Sequence, residues 1–119
     1  MTDPNIQPFH VAEETSAEGT RLTCSGELDL ASTPLLMNAT ASLLLRQPRA
    51  IMIDFESVSF VDSSGLRAVL EAVQDCRDRS VRVHVRPGRA LTTLLELTQM
   101  SVPTQGDADA GSDRRGSIP

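Results

Sequence analysis

The chain has 119 residues, 39% of them hydrophobic, which suffices for one compact domain of roughly 100 residues and leaves too little for a second. Its formal charge is -5, from 11 Arg and no Lys against 16 Asp and Glu, so long-range attraction to a nucleic-acid backbone or an anionic membrane is not expected. No apolar run approaches the ~20 residues of a membrane span, and Met1-Thr2-Asp3-Pro4 lacks the basic and apolar regions of a signal peptide, so a cytoplasmic protein is expected.

Phe9 and Val11, then Leu22 and Cys24, alternate with polar residues on either side of Glu18-Gly19, which predicts a β-hairpin turning there. Leu28 and Leu30 continue the alternation past Gly26. Ser32-Thr33-Pro34 opens a helix, with a Thr hydroxyl suited to the N-cap and Pro to the first helical position. Leu36, Ala39 and Leu43 give that helix its apolar stripe, and Gln47-Pro48 ends it. Ala50 to Phe55, with Ile51, Met52 and Ile53 in succession, predicts a central strand buried on both faces. After Val58, Phe60 and Val61 comes Asp62-Ser63-Ser64-Gly65. Leu66, Val69, Leu70 and Val73 then recur at helical spacing, with Ser63 or Ser64 as the expected cap. Val81, Val83 and Val85 alternate with Arg82, His84 and Arg86 as a strand with one wet face. Leu91, Leu94, Leu95 and Thr98 form a last helix after Pro87-Gly88. The order β-β-α-β-α-β-α predicts a single α/β domain, a mixed sheet packed against helices, over residues 1–103. Residues 104–119 are polar and are expected to be a disordered tail.

Little here suits catalysis or a metal. Cys24 and Cys76 lie far apart with no ligand-spaced partners and are read as small buried hydrophobes. His10 and His84 stand in different alternating segments, and neither has a recognisable place beside a serine. Ser63 and Ser64 sit on a strand-to-helix turn, but the nucleophile-elbow pattern Gly-x-Ser-x-Gly fails at both, where Val61 and Asp62 occupy the first glycine position. Trp and Tyr are absent and Phe numbers three, so base-stacking platforms are missing as well. The expectation is no enzyme, no metal and no cofactor.

Gly26-Glu27-Leu28-Asp29-Leu30, followed by Val58-Ser59-Phe60-Val61-Asp62-Ser63-Ser64-Gly65-Leu66, resembles the anti-sigma factor antagonists, small bacterial members of the STAS domain family, over roughly residues 7 to 100. The resemblance implies a STAS-type fold and a partner that is both anti-sigma factor and ATP-dependent serine kinase. It also implies that Ser63 is phosphorylated, that the unphosphorylated form binds the kinase and releases a sigma factor, and that a PP2C-type phosphatase resets the switch. It gives Asp29 a place near Ser63 in engaging the kinase. Asp62, Ser63, Ser64, Gly65 and Leu66 are the other candidate contact residues. Each has a structural reading beside it. Asp29 suits a cap of the segment that enters the first helix, Asp62 a dipole partner for the second, Ser64 the completion of the cap there, and Gly65 a close packing point of helix on sheet. A STAS domain can also serve as a scaffold subunit or as part of a lipid-transport complex, and this motif does not separate those uses. Members of the family usually carry one more short strand and a closing helix, whereas Ser101-Val102-Pro103 here runs straight into the tail. At most a strand stub is expected, and no closing helix.

The switch chemistry follows from elementary considerations. A serine at a helix N-terminus tolerates a phosphate, since free N–H groups and the positive end of the dipole face it. A partner covering it would have to bury about -1.5 to -2 charge beside Asp62. Residues 77 to 89 hold five Arg and one Asp, read as a solvated strand edge whose charges deter pairing between sheets. Arg114-Arg115-Gly116-Ser117 in the tail matches a basophilic kinase site, a pattern frequent by chance.

Overall fold

The computed structural model describes residues 7–104. Their elements are β1 (His10–Ser16), β2 (Gly19–Leu28), α1 (Thr33–Leu45), β3 (Ala50–Val61), α2 (Ser63–Asp78), β4 (Arg82–Arg86) and α3 (Gly88–Thr98), in the predicted order. One four-stranded sheet runs β1-β2-β3-β4, with β1 antiparallel to β2 and the other pairs parallel. The hairpin pairs Ser16 with Gly19, so its turn residues are Ala17 and Glu18, and Gly19 already opens β2. β2 ends at Leu28, and Leu30, expected to continue the strand, is instead 72% exposed in the loop beyond it.

Period-two alternation puts Leu22, Cys24 and Leu28 of β2, Ile51, Ile53 and Phe55 of β3, and Val83 and Val85 of β4 on one face of the sheet. They share a single core with Leu36 and Leu43 of α1, Val69, Ala72 and Val73 of α2, and Leu91 and Leu95 of α3. The apolar stripe of α1 is shifted from the expected one. Leu36, Thr40, Leu43 and Leu44 are buried and Ala39 only half so. Buried Thr40 satisfies its hydroxyl by donating to the Leu36 carbonyl at 2.9 Å.

The expectation that β3 is buried on both faces is corrected. Its second face is the open side of the sheet, where Met52 lies between Arg21 and His84 in register, and Asp54 between Thr23 and Arg86. Arg21 and Arg86 close over the Asp54 carboxylate at 3.9 and 3.6 Å, and the Glu56 N–H donates to it at 2.9 Å. Asp54 is therefore buried by arginine side chains, not by a second helical layer. Arg82 and Arg86 stand exposed on the short strand β4, in keeping with a solvated basic strand.

After α3, residues 101–104 form no strand. The Val85 N–H nevertheless donates to the Pro103 carbonyl at 2.6 Å and Val102 joins the core, so the segment is tied to β4 without becoming a strand. The remaining tail expectations, including the Ser117 motif and any closing helix, fall outside the described residues. Cys24 and Cys76 are buried free thiols, and burial pushes them up to about 12 and about 11 respectively. No helix among the described residues is long and apolar enough to cross a membrane.

Candidate functional site

Two extra residues in β3, one near Phe55 and one near Ser59, bring Val61 into register with Leu28. The Asp62 N–H then donates to the Leu28 carbonyl at 3.2 Å, so the loops beginning at Asp29 and Asp62 leave the sheet side by side. This juxtaposition of two motifs far apart in sequence creates the site.

Asp29 is held by the turn that leads into α1. Its Oδ1 accepts from the Ser32 N–H at 3.1 Å and the Ser32 hydroxyl at 3.0 Å, and its own N–H donates to Ser32 Oγ at 2.9 Å. Ser32 occupies the N-cap position without a side-chain cap bond. Thr33, the expected cap, is the first helical residue and donates its hydroxyl to the Leu30 carbonyl at 3.2 Å. The reading of Asp29 as an organiser of the α1 entrance is thus realised in the geometry.

At α2 the expected serine cap is corrected. Asp62 is the N-cap, with its Oδ1 accepting the Gly65 N–H at 2.8 Å and its carbonyl the Leu66 N–H at 2.9 Å. Asp has the extended backbone and the short acceptor side chain the position needs, which frees both serines from capping. Ser63 is exposed and Ser64 half-buried, and the N–H groups of both remain at the open end of the helix. Ser63 Oγ makes no hydrogen bond among the described residues. Gly65 and Leu66, expected among the contact residues, face inward, with Leu66 5% exposed. A Cβ on Gly65 would stand 2.5 Å from the Leu28 carbonyl oxygen, so glycine here is the packing point at which α2 seats on β2.

Beside Ser63 a cleft of about 300 Å3 runs between α1 and α2, lined by Leu30, Met37, Ser63, Ser64, Arg67 and Glu71 among others. Leu30 and Arg67 are the site residues that sequence reasoning passed over. Arg67 could have been counted four residues past Ser63, on the same side of a helix. Leu30 could not, because its alternation with Leu28 mimics a strand. Arg67 is exposed and forms no ion pair among the described residues. A wider basin of about 770 Å3 lies at the open sheet face around Arg21, Met52, Arg82 and His84. It shares no lining residue with the Ser63 cleft.

Comparison with solved structures shows the same fold. An anti-sigma factor antagonist from Mycobacterium paratuberculosis aligns with a TM-score of 0.70 at 23% identity, covering 93% of this chain and 97% of that one. The phosphorylated form of the Bacillus cell fate determinant SpoIIAA aligns at 0.60 and 20% identity, covering 88% and 99%. An antisigma-factor antagonist STAS domain from Rhodobacter sphaeroides aligns at 0.55 and 24% identity, covering 71% and 89%. No curated protein matches the chain. The family model described as Mlab, STAS domain, matches residues 11–102, from the first strand through the segment after α3, and the chain therefore belongs to the STAS domain family.

Proposed function

We propose that this protein is an anti-sigma factor antagonist that works as a phosphorylation-controlled partner switch in transcription regulation, in the cytoplasm. Unmodified, it binds an anti-sigma factor that is also a serine kinase, and a sigma factor is released. The observation that carries the reading is an exposed, uncapped Ser63 on the first turn of α2, beside an open cleft, in a STAS fold. The kinase supplies ATP and its metal. Ser63 Oγ attacks the γ-phosphorus, its bond to the β-phosphate oxygen breaks, ADP leaves, and the hydroxyl proton passes to a base of the kinase. This chain contributes position only and is not an enzyme.

Asp29 and Asp62 fix the two loops, Ser63 and Ser64 present the hydroxyls, and Gly65 and Leu66 anchor the surface from behind. Exposed Leu30 supplies an apolar contact next to Ser63. Burying a phosphoserine in that interface costs on the order of 2 to 5 kcal/mol, a loss of roughly 30-fold to more than 10³-fold in affinity, enough for an on/off switch without a change of fold. A PP2C-type phosphatase restores the binding form. The test is peptide mass spectrometry of the protein from its own host. Phosphate at Ser63 that disappears when the co-purifying kinase is deleted supports the switch.

A second reading has its own support, since the matching family model is described for Mlab and not for an antagonist. In it the same surface docks permanently in a scaffold or a lipid-transport complex. Ser63 unmodified under every growth condition, with a constant non-kinase partner, favours that reading.

A further inference from the structure

A phosphate on Ser63 meets an electrostatic problem that the backbone alone does not solve. One N–H at the N-terminus of α2 is already taken by a carboxylate, because Asp62 Oδ1 accepts the Gly65 N–H at 2.8 Å, so the open Ser63 and Ser64 N–H groups lie beside a resident negative charge. A dianion one residue further on is pushed away from that cap and needs a cation elsewhere. Among the described residues, Arg67 is the only basic side chain lining the cleft beside Ser63. It lies at i+4 on the same helix, is exposed, and has no carboxylate within 4.0 Å among the described residues, although Glu71 stands one turn further on. An acid placed four residues N-terminal to a base is the favourable orientation on a helix, and the planar guanidinium can grip two phosphate oxygens.

We infer that Arg67 clamps the phosphate of phosphorylated Ser63 across the first turn of α2. The inference rests on the phosphorylation reading above and deepens it, because the clamp lays the phosphate along the cleft between α1 and α2. The modified protein then loses its partner both because charge is buried and because the cleft beside Leu30 and Met37 is filled. Arg67 acts through the phosphate and is a positioning residue.

The test uses the full chain with phosphoserine installed genetically at position 63, so that it needs no native kinase. The phosphate's second ionisation is followed by phosphorus NMR in the unaltered chain and in Arg67→Gln, Arg67→Lys and Arg77→Gln. The clamp predicts a midpoint lower by about 0.3 unit or more with Arg67 than with Gln. Lys should restore part of the shift, and removal of Arg77, at the far end of α2, should leave the midpoint unmoved. Circular dichroism of Arg67→Gln confirms the fold, as expected for an exposed residue. Coincident midpoints for Arg67 and Gln overturn the clamp and leave the switch standing. A kinase that never modifies Ser63 overturns the switch, while the titration still decides the clamp.

Discussion

Gly65→Ala probes the contact that makes the site, and its cost can be worked from the geometry. The added Cβ would lie 2.5 Å from the Leu28 carbonyl oxygen and 3.0 Å from both Leu28 Cγ and Val61 Cγ1. A backbone oxygen cannot swing aside, so relief requires lifting the start of α2 from β2. That motion stretches the 3.2 Å bond from the Asp62 N–H to the same Leu28 carbonyl, the bond that keeps the Asp29 and Asp62 loops side by side. Overpacking of this kind costs about 1–3 kcal/mol, against which alanine regains about 0.5–1 kcal/mol of helix preference. Mid-range values leave a net loss of about 1 kcal/mol, which corresponds to a fall in Tm of about 4–8 °C for a domain of this size. Thermal unfolding followed by far-UV circular dichroism reads it, with Ser64→Ala as the control that should stay within about 0.5 kcal/mol of the original. An unchanged or raised Tm for Gly65→Ala would refute the packing account of this glycine.

Asp62→Ala should cost about 1 kcal/mol through loss of the α2 cap, and Asp62→Asn should recover most of it, since Asn caps as well as Asp; equal Tm values for the two variants would contradict the capping role. Leu30→Ser should leave the Tm within about 0.5 kcal/mol of the original because the side chain is 72% exposed, yet weaken binding to the proposed kinase partner by about 10-fold. Unaltered binding would take Leu30 out of the interface. Alkali should destabilise the fold from about pH 9 upward. Unfolded thiols ionise near 9.0 whereas buried Cys24 and Cys76 hold their protons to about 12 and about 11, so the unfolded chain binds fewer protons and stability falls as pH rises through that window. Replacing both cysteines by alanine should flatten the fall, and an equally steep fall in Tm between pH 9 and 11 without them would assign the effect elsewhere.

The element order was legible because period-two runs such as Val83 and Val85, and the helical recurrence of Leu66, Val69 and Val73, each name one kind of structure. What escaped the sequence was decided by tertiary placement. Ile51-Met52-Ile53 reads as a doubly buried strand, but Met52 is only half-buried and faces the open side of the sheet. Asp54 is covered by Arg21 and Arg86, a burial that no hydropathy pattern can show. Asp62, Ser63 and Ser64 are all acceptable caps, and only the chain direction at the end of β3 decides among them. The motif residues were visible, whereas the cleft they border depends on how α1 seats against α2, which places Leu30, Met37 and Arg67 around Ser63.

The central claim is that one phosphate on Ser63 is enough to dissociate a preformed surface. Calorimetric titration of the purified anti-sigma kinase with the unmodified chain and with the chain carrying phosphoserine at position 63 tests it directly. The account predicts binding at least roughly 30-fold weaker for the phosphorylated chain. Equal affinities for the two forms would contradict it.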